Sequence, residues 1–299
     1  MNDIDKDLKS LVGDGNFKKN ENLKNYLTFR VDTIAKTFLK VYNRKTLKKV
    51  LDYLTSNGKK YVCIGGGSNI LFKNKIVKDV VIFLGQGYCK IYNYKGRSFL
   101  SAFSGCKVSK VIQKCKNNCF SCLEWAIGIP ATLGGAIIMN MGVEDNQISD
   151  CIYSVTFYKD GKIKTIKGNK FFSYRNSWFK LQKCVIISCV LFLKKVDKNI
   201  LQKNIKAQLD TKRLKQPLDK YTCGSTFKNG LTYKSAKLID EVGLKGLQVG
   251  DAVISKKHSN FIVNNGNATG RDIIKLISII KKVIYKKYKI ILEEELVIY

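Results

Sequence analysis

Arg175 stands in Phe171-Phe172-Ser173-Tyr174-Arg175-Asn176-Ser177. A guanidinium beside aromatic rings suits the grip of a carboxylate, because it is planar and always charged. Ser225 follows a glycine in Gly224-Ser225-Thr226-Phe227-Lys228-Asn229, where a tight turn would expose its hydroxyl as a proton or hydrogen-bond donor. No Gly-x-Ser-x-Gly elbow surrounds it, so it is not read as an acylating nucleophile. Glu293-Glu294-Glu295 is the only acidic triplet in the chain. Taken singly, the three features are equally a surface arginine, a turn serine and a solvated acidic face.

Two glycine-rich segments suit a cofactor. Gly65-Gly66-Gly67-Ser68-Asn69 runs straight out of an apolar stretch, and consecutive backbone N–H groups in such a turn can converge on phosphate oxygens. It is neither a Rossmann fingerprint nor a P-loop, since the third Gly and the Gly-Lys-Ser/Thr are missing. Gly128-Ile129-Pro130-Ala131-Thr132-Leu133-Gly134-Gly135-Ala136, followed by Asn140 and Gly142, holds one of only 2 Pro. Small residues at this density let a flat ring or a pyrophosphate lie against backbone; a packed crossing of two elements would read the same way. Cys115, Cys119 and Cys122 have the C-x3-C-x2-C spacing of radical iron–sulfur sites, but no repeated strand–helix pattern surrounds them. The lone His258 argues against a multi-His metal site, and no metal is expected.

The elements that must position these groups are legible from periodicity. Leu47, Val50, Leu51 and Leu54 share a helical face over Thr46 to Ser56, and Asn57-Gly58 stops it. Tyr61 to Ile64 is a short buried strand. Val80 to Leu84, Ile91 to Tyr94, Ser98 to Phe103 and Cys184 to Leu193 read as strands, and Asp160-Gly161 as the turn of a hairpin. Val108 to Asn117 and Arg271 to Tyr285 read as helices. Residues 1–25 read as a helix with a loose lead-in, Leu27 to Tyr42 as strand, turn and strand, and Ile290 to Tyr299 as a closing strand. The fold class is α+β. With 299 residues there is room for about two domains at roughly 150 residues each.

Composition excludes several classes. The 45% hydrophobic and 26% charged content is globular, not that of a basic disordered tail. No run approaches the roughly 18 apolar residues of a bilayer span, and no secretion signal is visible, so a cytoplasmic protein with ten free thiols is expected. The net charge of +31 raises the prior for nucleic acid. The Lys residues are spread along the whole chain, however, as A/T-biased coding produces, and attraction of a small polyanionic substrate uses the same field. A colourless DNA-binding protein remains the alternative from a different class.

Read in order, the segments closely resemble the UDP-N-acetylenolpyruvoylglucosamine reductase family over residues 22–299. The resemblance rests on Asn25 to Arg30, Ile64 to Leu71, Leu123 to Gly142, Phe172 to Ser177, Gly224 to Asn229, Leu238 to Gly246, Lys257 to Asn264 and Leu292 to Leu296. Ala131, Cys122, Lys36 and Gly230 depart from the usual family residues without removing a polar group that the chemistry needs. The resemblance implies a two-part FAD-binding region of the vanillyl-alcohol-oxidase type, at residues 1–80 and 81–195, and a substrate-binding domain at 200–299. It implies FAD, NADPH as reductant, and UDP-N-acetylglucosamine enolpyruvate as substrate, with no nucleic acid, membrane insertion or obligate protein partner. Arg175, Ser225 and Glu295 are carried over as catalytic. Gly65, Gly66, Gly67, Ser68, Asn69, Ile129, Pro130, Thr132, Gly135 and Asn140 are carried over as cofactor-binding, and Tyr174, Lys228 and Asn229 as substrate-binding. A flavin oxidase with another substrate is the alternative within the same class.

Overall fold

The computed structural model describes residues 3–299. It divides into two compact units. The first gathers the chain up to Asn20, Lys36–Gly66 and Lys78–Asp210; the second gathers Glu21–Ala35, Gly67–Val77 and Thr211–Tyr299.

The first unit holds two sheets. Strands β1 (Phe17–Asn22), β2 (Ile34–Val41), β3 (Tyr61–Ile64) and β4 (Val80–Leu84) lie in the order β1-β2-β4-β3, with β2 and β3 parallel to β4. Helix α1 (Asp3–Val12) buries Leu8 and Val12, and α2 (Arg44–Ser56) buries Leu47, Val50, Leu51 and Leu54 in the same core. The start of α2 is set by Asn43, whose side chain accepts the Thr46 N–H at 2.9 Å. The second sheet is antiparallel throughout. Its order is β8-β7-β9-β6-β5, from β5 (Cys89–Tyr94), β6 (Arg97–Phe103), β7 (Ile152–Lys159), β8 (Lys162–Lys167) and β9 (Val185–Lys195). The β7–β8 turn has positive φ at both Asp160 (48°) and Gly161 (76°), as a two-residue hairpin requires. Helices α3 (Val108–Asn117) and α4 (Leu133–Ile138) pack their apolar faces into the cluster around Leu100, Ala102, Leu191 and Val155.

Helix α5 (Lys198–Lys215) leads toward the second unit. There, α6 (Ser235–Glu241), β10 (Ala252–Ile254), β11 (Ile262–Asn264) and α7 (Gly270–Tyr288) enclose a core that also takes Phe29, Val31 and Leu71 from early segments. Thr269 and Asp272 form a capping box at the start of α7. Gly270 meets the Phe72 carbonyl so closely that a Cβ there would lie 2.4 Å from it.

Three sequence expectations differ from the structure. Residues 1–25 contain strand β1 after α1. The stretch before Ile34 is no strand, because Arg30 takes a left-handed conformation (φ 55°) and its N–H closes a turn on Leu27. Of Ile290 to Tyr299, only Val297–Ile298 is strand, pairing parallel with Ile70–Leu71; the acidic triplet before it is irregular. Among the described residues no helix is long and apolar enough to cross a membrane.

Candidate active site

In the first unit the two glycine-rich segments meet. A Cβ at Gly65 would stand 2.0 Å from Thr132 Oγ1, and one at Gly66 would stand 2.2 Å from the Pro130 carbonyl oxygen. Only hydrogen at these positions lets the turn after β3 lie flat against the Pro130–Thr132 strap. The strap is itself pinned: the Val108 N–H donates to Ala131 O at 2.9 Å, and Thr132 bridges Lys107 before α4 begins. Beside the start of α4, Ser104 is 1% exposed and its hydroxyl has no partner, while a Cβ on Gly134 would lie 3.0 Å from that of Ser104. Bare backbone from two segments and an unpartnered buried hydroxyl form a cradle that fits a phosphate- and ring-bearing cofactor such as FAD. Gly135 faces more open space, its nearest neighbour being Thr132 Oγ1 at 3.7 Å from a Cβ. Asn140 is 1% exposed, and its side chain is committed inside the protein, donating to Gln147 Oε1 and Ser173 O and accepting from the Ser149 N–H. Any cofactor contact from Asn140 therefore falls to its backbone.

Arg175 belongs to this unit too. It forms with Tyr174 the two-residue turn between Phe172–Ser173 and Asn176–Ser177, with φ at 50°. Its guanidinium lies 5.2 Å from the centre of the Tyr174 ring. A Cβ on Gly142 would approach Nη1 to 2.8 Å, so the glycine makes room for the guanidinium. Arg175 is half-buried and Tyr174 exposed.

The second unit brings together most of the remainder. Gly67 has φ 61°, and a Cβ there would lie 1.9 Å from Tyr26 O; Thr28 donates its N–H to Gly67 O at 3.1 Å. Asn69 then reaches the acidic stretch before the C-terminal strand, its Nδ2 donating to Glu295 O at 3.0 Å. Ser225 sits in a segment held from both sides. On one side Ser225 bridges Phe261, and Asn260 binds Phe227 twice, accepting its N–H at 3.0 Å and donating to its carbonyl at 2.8 Å. On the other side the Glu295 N–H donates to Thr226 O, and the Lys228 N–H to Glu293 O. Lys228 pairs with the Glu293 carboxylate, and Asn229 Oδ1 accepts the N–H of Ser235 at the start of α6. The structure thus gathers Ser225, Lys228, Asn229, Asn69 and Glu295 in one unit. Asn260, within the Lys257 to Asn264 motif, holds this segment in place, and nothing in its own segment announces that role.

The other candidates read as structural. His258 accepts the Asn260 N–H on Nδ1, lies tilted against the Phe261 ring with centroids 4.5 Å apart, and has its pKa lowered by burial. Cys115 is buried on α3, and Cys119 ends that region in a left-handed conformation; among the described residues no group of three acidic, His or Cys side chains is placed to hold a metal. Cys106 is held down to about 7, first by the thiol of Cys89 and also by the Gln86 amide, against the opposing effect of burial.

Comparison with known proteins agrees with this geometry. A family profile described as UDP-N-acetylenolpyruvoylglucosamine reductase, C-terminal domain, matches residues 216–299, and one described as FAD binding domain matches residues 35–167. The chain is 35% identical over 295 residues to the UDP-N-acetylenolpyruvoylglucosamine reductase of Clostridium novyi, covering 98% of this chain and 95% of that one. The crystal structure of the enzyme of that name from Thermus caldophilus superposes with a TM-score of 0.79 at 30% identity, over 93% of this chain and 97% of the other. A variant of Phl p 4, a glucose oxidase, gives a TM-score of 0.51 at 9% identity, over 66% of this chain and 45% of that one, a likeness of fold alone.

Proposed function

The chain belongs to the UDP-N-acetylenolpyruvoylglucosamine reductase family, and we infer from this that it reduces UDP-N-acetylglucosamine enolpyruvate to UDP-N-acetylmuramate for peptidoglycan synthesis. FAD, recharged by NADPH, supplies the hydride when bound. Gly65, Gly66, Ile129, Pro130, Thr132 and Gly135 would hold it, and Gly67 to Asn69 continue the same turn in sequence. Residues 1–80 and 81–195 are the two halves of the cofactor region and 200–299 the substrate domain. Both reductant and substrate are nucleotides, which places the reaction in the cytoplasm.

The roles of the side chains follow from where charge develops. The substrate is an enol ether conjugated to a carboxylate. Hydride addition at the terminal carbon drives charge into that carboxylate, so a fixed cation there lowers the barrier; one such donor contributes about 3 kcal/mol in comparable sites. Arg175 fills this role, its guanidinium already oriented by Tyr174 and Gly142. The carbon bearing the ether oxygen then takes a proton from Ser225. A Ser hydroxyl is a weak acid, so this step needs neighbouring positive charge to favour release of its proton as charge develops on the substrate. Glu295 orients the substrate carboxylate or assists proton delivery, and Tyr174, Lys228 and Asn229 contact the substrate.

The observation that carries this reading is the bracing of Ser225 to Lys228 between Asn260 and Glu293–Glu295, with Asn69 bonded to the same acidic stretch. The test separates the half-reactions. Ser225→Ala leaves reduction of the flavin by NADPH intact and slows its reoxidation by UDP-N-acetylglucosamine enolpyruvate by orders of magnitude. Equal slowing of both steps would remove Ser225 from the proton path.

A further inference from the structure

The antiparallel sheet of the first unit has two unlike faces. One is covered by α3 and α4. Alternation puts Lys90, Tyr92 and Tyr94 of β5, and Arg97 and Phe99 of β6, on the other. Phe192 of β9 pairs directly with Phe99. The register of β7 against β9 slips between Ile152 and Ser154, and this irregularity turns Tyr153 onto the same face. The result is a continuous row of rings. Tyr92 stacks on Phe99 at 5.6 Å and 21°, Phe99 meets Phe192 at 5.2 Å and Tyr153 at 5.0 Å, and Lys167 lies 5.6 Å over Tyr153. Phe99 is buried under its neighbours, while Tyr92 is 40% and Tyr94 56% exposed.

The charge around this row has one sign. None of the five strands contains an Asp or Glu, and Lys90, Arg97, Lys167 and Lys194 are all exposed. The nearest acid in the β7–β8 hairpin, Asp160, sits in its turn, whereas Lys167 pairs with Ser154 at the opposite end. The lysines look evenly spread along the chain; the sheet sets several of them on one surface. Exposed and half-buried rings bordered by cations, on strands free of carboxylates, match a partner carrying flat rings on a flexible polyanionic backbone. A duplex hides its rings in the stack, and an acidic peptide does not use the ring faces.

We propose that this sheet face binds a single-stranded oligonucleotide, its bases stacking on Tyr92, Tyr153 and Phe192 and its phosphates meeting Lys90, Arg97, Lys167 and Lys194. The surface is independent of the reductase reading. The test uses the FAD-loaded protein and a fluorescein-labelled oligo(U) in an anisotropy titration. The oligonucleotide binds, a duplex of equal length does not displace it, and raising salt from about 50 to 200 mM weakens binding by about 50-fold if four phosphates are neutralised. Tyr92→Ser with Tyr153→Ser weakens it by at least about 10-fold. Lys90→Glu with Lys167→Glu, which leaves the rings in place, flattens the salt dependence. Retained flavin colour and NADPH turnover show that each variant is folded. Absence of binding, equal competition by duplex, or unchanged affinity in the ring variant would each overturn the proposal, the last two by reducing it to unspecific charge.

Discussion

Asn260→Ala tests whether the Ser225 segment is positioned by one buried amide. Asn260 is 3% exposed and Phe227 1% exposed, and the amide satisfies both the N–H and the carbonyl of Phe227, at 3.0 and 2.8 Å. Alanine leaves both groups buried without these partners. Each such loss costs about 1–3 kcal/mol, which gives roughly 2–6 kcal/mol for the pair. At about 2–4 °C per kcal/mol, the scale for chains of about 150–250 residues, the melting midpoint falls by about 4–24 °C. The functional effect is as specific. Ser225 bridges Phe261 beside this amide, so freeing the segment displaces the hydroxyl, and a misplacement of about 1 Å costs about 100-fold in rate. The readouts are thermal unfolding followed by flavin fluorescence, and stopped-flow measurement of the two half-reactions. Flavin reduction by NADPH stays near wild type while reoxidation by substrate slows. Asn260→Asp keeps the size and the acceptor but loses the donor to Phe227 O, and lies between the two. A variant melting within about 1 °C of wild type, with unchanged reoxidation, would refute the bracing argument.

Gly66→Ala places a methyl 2.2 Å from the Pro130 carbonyl, so the two segments must part; the variant purifies with little bound FAD but with a native circular dichroism spectrum. Arg175→Lys retains the charge but loses the planar fork beside Tyr174, and flavin reoxidation by substrate slows by about 100-fold with NADPH reduction unchanged in the same stopped-flow assay. His258 has its folded pKa lowered below 6.5 by burial, so its contribution to stability is complete above pH 6.5 and is lost as pH falls through the folded value; the melting midpoint of wild type drops over that range more steeply than that of His258→Gln.

What was legible in the sequence was what a single segment decides. Leu47, Val50, Leu51 and Leu54 repeat at helical spacing, and α2 is where they place it; the same holds for Ile273, Ile277, Ile280 and Ile284 on α7. Asp160-Gly161 announces its own turn, because only positive φ at both positions joins the strands so tightly. Hydrogen bonds to distant residues leave no such period. Phe29 and Val31 alternate in burial like a strand, yet Arg30 turns the chain, and Phe29 O is taken by Asn264 Nδ2 from the far end of the sequence. The short pairing of Val297–Ile298 with Ile70–Leu71 is equally invisible from either segment alone.

The candidate site divides along the same line. The order of the motifs pointed to the family, and it was this resemblance that singled out the glycines, Arg175, Ser225 and Glu295 as candidates; residue type alone sets only what each group can donate, accept or make room for. Folding decided that Gly66 lies against Pro130, that Asn69 reaches Glu295 and that Asn260 braces Phe227, since each contact needs two segments far apart in the chain to arrive at one place. It decided likewise that scattered lysines share a face with Tyr92, Phe99 and Phe192, because which side of a sheet a residue occupies depends on pairing register, a property of two strands and not of one.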